Sequence, residues 1–139
     1  MYMQDKAQLP QMESDIAMLN LFRSSGPKVG RIAPVEAIAR AKAGTLTLLD
    51  VREIGELQAS GKAKGAVHVP LGLVGLKADP KAPDCDKRLA TDKAVAVYCM
   101  SGGRSGSAAE ILLGLGYAEV YNLGGMGDWV AAGGPVERV

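Results

Sequence analysis

Ala94-Val95-Ala96-Val97-Tyr98-Cys99-Met100-Ser101-Gly102-Gly103-Arg104-Ser105, residues 94–105, runs from an unbroken apolar stretch through a glycine-rich turn into a helical pattern. Apolar residues without polar alternation mark a strand covered on both faces, the kind found inside a parallel sheet. From Ser105 to Leu115 the apolar positions Ala108, Ile111, Leu112 and Leu115 share one helical stripe, and Gly116 stands near the helix end. Strand, turn and helix in this order make up part of a βαβ unit.

The flanking sequence repeats the alternation. Towards the N-terminus, Pro34 to Ala43 reads as a helix, with proline in its first turn and Gly44 just past its end. Thr45 to Val51 reads as a strand, and Glu53 to Ala59 as a short helix stopped by Ser60-Gly61. Ala66 to Val69 is a further strand, closed by Pro70. Residues 77–93 are charged and contain proline, so a loop is expected there, after one short helix near Leu73. Towards the C-terminus, Val120 to Leu123 reads as a strand and Met126 to Ala132 as a last short helix. Strands alternating with helices imply an α/β fold whose parallel sheet is covered on both faces.

Residues 1–28 differ from the rest. Met12, Ile16, Leu19 and Phe22 recur at helical spacing, Pro10 suits a first turn and Gly26-Pro27 closes the segment, so a helical extension is expected ahead of a domain at 29–139. A length of 139 residues suits one domain with one core.

Cys99 stands where the chemistry is expected. In open parallel sheets ligands bind beyond the carboxyl ends of the strands, and Cys99 ends the most apolar strand in the chain. Gly102 and Gly103 permit positive φ, which lets successive backbone N–H groups curl inward as an anion-binding nest. The helix beginning near Ser105 adds its unpaired N–H groups and positive dipole end, and Arg104 adds a permanent charge. Such surroundings lower a cysteine pKa from about 8.5 and make the thiolate available as a nucleophile. The thiolate can take the outer sulfur of a donor as a persulfide and pass it to a second nucleophile, with no general base. The whole reading requires an ionised sulfur inside a ring of inward-facing amides.

The bulk composition excludes several alternatives. With 16 Lys+Arg against 15 Asp+Glu the net charge is +1, so no general attraction to nucleic acid or anionic membrane is expected. Met1 to Ala7 is polar and unlike a secretory signal, and no apolar run approaches the roughly 18 residues of a membrane span. Two cysteines and one histidine, His68, are too few for a disulfide framework, a four-ligand zinc site or a Cys–His protease pair. The expectation is a cytoplasmic protein with no metal and no cofactor other than the covalent persulfide.

In four blocks the sequence closely resembles the rhodanese-like domain family. They are Leu48-Leu49-Asp50-Val51-Arg52-Glu53, with Glu56 where a second acidic residue is common; Gly65-Ala66-Val67-His68-Val69-Pro70-Leu71; Val97-Tyr98-Cys99-Met100-Ser101-Gly102-Gly103-Arg104-Ser105; and Leu123-Gly124-Gly125-Met126-Gly127-Asp128-Trp129 with Ala132-Gly133-Gly134-Pro135-Val136. The resemblance covers residues 29–137 and departs from the family where Gly61-Lys62-Ala63-Lys64 replaces a Gly-His-Ile-Pro run. It implies a three-layer α/β/α domain with a five-stranded, mainly parallel sheet. It also implies thiosulfate-type sulfurtransferase activity through a Cys99 persulfide, with Met100, Ser101, Gly102, Gly103, Arg104 and Ser105 holding the substrate. Asp50 and Arg52 are implied to lie near the loop and brace it.

Two other readings stay open. Cysteine phosphatases and arsenate reductases also place an arginine after a cysteine loop, but theirs is one residue longer than the Met100, Ser101, Gly102, Gly103 spacer here. A binding or regulatory module is the role of rhodanese-like domains that have lost the cysteine, whereas Cys99 and Arg104 are both present here. Arg104 alone carries charge within residues 99–105, so modest thiosulfate affinity that weakens at high salt is expected. The acceptor could be cyanide, a small thiol or a protein thiol. Cys85 reads as an incidental loop cysteine, Trp129 as core, and Gly124-Gly125-Met126-Gly127 as a turn.

Overall fold

A computed structural model describes residues 28–139. The expected helical extension at 1–28 therefore lies, but for Lys28, outside the described residues.

The elements in chain order are β1 (Gly30–Arg31), α1 (Pro34–Lys42), β2 (Thr47–Asp50), α2 (Ile54–Ser60), β3 (Lys62–Ala63), β4 (Val67–His68), α3 (Leu71–Lys77), β5 (Val95–Cys99), α4 (Gly103–Gly114), β6 (Val120–Gly125), α5 (Met126–Ala131) and β7 (Val136–Glu137). Five strands form one sheet in the order β1-β6-β5-β2-β4, with every neighbouring pair parallel. The expected five-stranded α/β architecture is observed, and β5 sits at its centre.

Each residue of β5 is buried, and successive side chains enter opposite layers. Val95, Val97 and Cys99 pack in the same core as Val74 of α3 and Ala108, Ala109 and Leu112 of α4. Ala94, Ala96 and Tyr98 pack in the other core with Ala37 of α1 and Met126 and Trp129 of α5. The strand's period of two thus feeds two apolar layers at once, which is why its sequence shows no polar alternation.

Several features differ from the sequence expectation. The pair β3 and β7 forms a separate two-stranded antiparallel sheet, and β1 adds a short edge strand beside β6. Each of these strands has only two residues, too few for a hydrophobic period to register. Helix α4 begins at Gly103, two residues before the expected start at Ser105. Gly124-Gly125-Met126-Gly127 is no free turn: β6 runs to Gly125 and α5 starts at Met126. No described helix is long and apolar enough to cross a membrane.

Candidate active site

The connections out of β2 and β5 diverge. From β2 the chain moves to β4 on one side, and from β5 it moves to β6 on the other. The carboxyl ends of these two adjacent strands therefore border the crevice where parallel sheets place their ligands. Cys99 and its loop leave β5 at this point, and Glu53 and Glu56 at the start of α2 follow β2.

Gly102, at φ +104°, converts the strand end into the helix start, because this left-handed region admits glycine with little cost. Gly103, which would also permit positive φ, is already the first residue of α4, since one left-handed residue completes the turn. The amides then point inward. Gly102 N–H donates to Cys99 Sγ at 3.0 Å and Ser105 N–H at 3.4 Å, while Ser105 Oγ stands 3.4 Å from the sulfur. Cys99 is only 1% exposed. Burial pushes its thiol up, but the Ser105 hydroxyl and the amides of Ser105, Gly102 and Ser101 outweigh it and bring the pKa down to about 7.

The side-chain bonds of Arg104 go to a carboxylate. Its guanidinium pairs bidentately with Glu56, Nη1 to Oε1 at 2.6 Å and Nη2 to Oε2 at 2.9 Å. Glu56 Oε1 also accepts the N–H of Glu53 at 2.9 Å, so one carboxylate both caps α2 and fixes the arginine. Arg104, and next the Glu53 amide, hold the Glu56 carboxyl down at about 2.

Asp50 and Arg52 form a fully buried ion pair, with Arg52 Nη2 at 2.7 Å from Asp50 Oδ2. Arg52 also donates to Ser60 Oγ at 3.0 Å and to the Gly61 carbonyl at 2.7 Å, and its guanidinium lies 5.7 Å from the Tyr98 ring centroid. These bonds tie the C-terminal end of α2 back to the end of β2, and α2 in turn presents Glu56 to Arg104. The pair's own hydrogen bonds go elsewhere than residues 99–105.

Asn122 and Gly125 were not among the site residues expected from the sequence. Asn122 Nδ2 donates to the Gly102 carbonyl at 3.1 Å, and its Oδ1 accepts the Ser105 hydroxyl at 2.8 Å and Gly124 N–H at 3.0 Å. It reaches the loop because β6 shifts register against β5 between Val97 and Tyr98. Gly125 lies opposite Cys99, and a Cβ there would stand 2.2 Å from Met100 O. Only the doubled glycine hinted at that contact. The polar Asn122 inside a strand was the available signal for the other.

The remaining candidates stay apart from this chemistry. His68 Nε2 donates to the Arg52 carbonyl at 2.7 Å. Trp129 is buried, and its Nε1 donates to the Pro135 carbonyl at 2.8 Å. Cys85 is a free, half-buried cysteine with Lys87 Nζ at 3.3 Å. Among the described residues no cluster of His, Cys, Asp or Glu could hold a metal ion.

The family model of the rhodanese-like domain matches residues 33–132. The chain belongs to the rhodanese-like domain family. It is 36% identical over 80 residues to the thiosulfate sulfurtransferase PspE of Escherichia coli, a match covering 58% of this chain and 70% of that protein. It is 37% identical over 83 residues to the uncharacterized protein YqhL of Bacillus subtilis, a match spanning 59% of each chain. Among solved structures, a protein of unknown function from Rhodopseudomonas palustris, described as a possible tyrosine phosphatase, superposes with a TM-score of 0.71. That protein is 31% identical, and the match covers 94% of this rhodanese-like chain and 100% of the other.

Proposed function

We propose that this rhodanese-like protein is a sulfurtransferase that carries a sulfane sulfur on Cys99, taking it from thiosulfate or a similar donor and passing it to cyanide or a thiol. The observation that carries the reading is the convergence of the Gly102 and Ser105 amides on Cys99 Sγ. They stabilise negative charge at that point, whether on a thiolate or on a persulfide.

The thiolate attacks the outer sulfur of thiosulfate. The donor's S–S bond breaks, its electron pair leaves with sulfite, and Cys99–S–S⁻ remains. Cyanide or an acceptor thiolate then attacks the outer sulfur, which releases thiocyanate or a new persulfide and restores the Cys99 thiolate. Charge is conserved in both steps. The cysteine's own sulfur is the carrier, and a reducing, cytoplasmic setting would keep it free. The acceptor can be a small molecule or a protein thiol.

A phosphatase reading requires a loop wide enough for a tetrahedral phosphoryl group, with the arginine turned onto it. Here only four residues separate Arg104 from Cys99, and Arg104 is held by Glu56. Cys99, at 1% exposure, is better matched to a slender terminal sulfur than to a phosphoryl group.

The test is intact mass after exposure to thiosulfate. The wild type gains one sulfur atom, which cyanide removes as thiocyanate, and Cys99→Ser gains none. Undiminished thiocyanate production by Cys99→Ser would overturn the assignment.

A further inference from the structure

The loop carries one charge, and that charge is already paired. Met100, Ser101, Gly102 and Gly103 are neutral, and Arg104 gives two of its N–H groups to the two oxygens of Glu56. The pair is partly exposed, with side-chain exposures of 35% for Arg104 and 27% for Glu56. It therefore faces whatever enters the crevice as a dipole of no net charge. A dianion arriving at Cys99 gains attraction from Arg104 and meets repulsion from Glu56.

We infer that Glu56, by pairing with Arg104, sets the donor preference of this site towards sulfur donors of single negative charge, thiosulfonates and the persulfides of small thiols, over the thiosulfate dianion. This rests on the sulfurtransferase reading and specifies its substrate class. A thiosulfonate fits the same chemistry. The Cys99 thiolate attacks its outer sulfur, the bond from that sulfur to the sulfonyl sulfur breaks, and a sulfinate leaves with the electron pair. Both sides carry two negative charges. The amides of Gly102 and Ser105 serve either donor alike, so discrimination falls to the side chains around the loop.

Glu56 is a specificity residue that acts through Arg104. Its conservative variant is informative because a glutamine oxygen can still accept the Glu53 N–H and keep the start of α2. In Glu56→Gln the Arg104 charge is no longer offset. Coulomb energy scales with the charge of the donor, so the gain for a dianion is the square of the gain for a monoanion. Expected values are about tenfold in kcat/KM for thiosulfate and about threefold for benzenethiosulfonate. The double variant Glu56→Gln with Arg104→Gln should lose that differential gain.

The salt response tests the same point without a variant. A lone Arg104 would make thiosulfate turnover weaken at high salt, as expected from the sequence. With Glu56 in place, wild-type kcat/KM for thiosulfate should change by less than about twofold between about 0.05 and 0.5 M salt. In Glu56→Gln it should fall severalfold over that range. Equal gains for the two donors in Glu56→Gln, a loss for thiosulfate, or a steep wild-type salt dependence would overturn the inference while leaving the persulfide chemistry standing. If neither donor adds sulfur to Cys99 by mass, the sulfurtransferase reading itself falls, and this inference falls with it.

Discussion

Gly125 supports the Cys99 loop by having no side chain: a Cβ at that position would stand 2.2 Å from the carbonyl oxygen of Met100 and 3.0 Å from its carbonyl carbon. Its φ of −117° is open to any residue, so the requirement is one of space. The backbone of β6 and the first peptide of the loop occupy the same narrow gap, and this contact fixes how far the loop can settle towards the sheet.

Gly125→Ala should therefore displace the loop. The obstructing atoms are backbone and cannot swing away as a flexible side chain would, so the Gly102 and Ser105 amides shift with them. Overpacking of this kind costs about 1–3 kcal/mol in stability. Misplacing reacting groups by about 1 Å costs on the order of a hundredfold in rate. The variant should fold, with kcat/KM for thiosulfate reduced by about that factor. Wild-type turnover would show that the loop does not depend on this contact.

The pH profile follows from the balance at Cys99. Burial opposes ionisation, the Ser105 hydroxyl and the surrounding amides favour it, and the pKa lies at about 7. The thiolate is the reactive form, so sulfur uptake should rise roughly tenfold per pH unit below the pKa and level off above it. Linkage gives the matching stability effect. A folded-state pKa below the unfolded value stabilises the fold above the unfolded pKa, and that contribution is lost as pH falls through about 7. Between alkaline and mildly acidic pH the wild type should lose more stability than Cys99→Ala. An uptake midpoint at or above the ordinary cysteine value would contradict the geometry.

Asn122 should matter more than its distance from the chemistry suggests. It bonds the Gly102 carbonyl, the Ser105 hydroxyl and the Gly124 amide, joining β6 to both ends of the helix-forming turn. Asn122→Ala removes all three bonds; the Gly102 carbonyl keeps the Gly106 N–H and the Ser105 hydroxyl keeps its contact with Cys99 Sγ, so the cost should be about 1 kcal/mol. Its distinguishing effect should appear in the titration: with the turn loosened, the Cys99 pKa should move back towards the ordinary thiol value. Asn122→Asp keeps an acceptor for Ser105 and Gly124 but places a negative charge near the sulfur, so it should raise that pKa as well. Monitoring thiolate absorbance against pH separates this from simple destabilisation, which would leave the midpoint of the folded protein unchanged.

The parts of this molecule that could be read in the sequence are those with a period or a spacing. The apolar run ending at Cys99 revealed the central strand because Val95 and Val97 face one layer while Ala96 and Tyr98 face the other. The turn and cation were legible because only a few residue types adopt the conformation of Gly102 or carry the charge of Arg104. The partner of that charge was not derivable from spacing, since Glu56 and Arg104 are 48 positions apart and meet only after the sheet assembles. The same holds for Asn122, which reaches Ser105 through a register shift that no local pattern encodes. The pairing of β3 with β7 is likewise made by segments about 75 residues apart, through Lys62–Glu137 and Ala63–Val136 contacts that neither segment announces.

The Asp50–Arg52 pair offers the clearest separation of stability from chemistry. Both side chains are inaccessible to solvent, and Arg52 also satisfies Ser60 Oγ and the Gly61 carbonyl. Removing one member of a buried pair strands the other charge and costs about 3–5 kcal/mol, whereas replacing both with apolar residues of similar volume is often neutral. Asp50→Ala should therefore lower the denaturation midpoint sharply, and the double replacement Asp50→Leu with Arg52→Met should recover much of the loss. The Cys99 thiolate is set by the amides of Gly102 and Ser105 and the Ser105 hydroxyl, none of which the pair contacts. At a temperature where Asp50→Ala remains folded, sulfur uptake should keep its wild-type pH midpoint. A shifted midpoint in the folded variant would mean that the pair reaches the sulfur directly, and its role would then extend beyond holding α2 against β2.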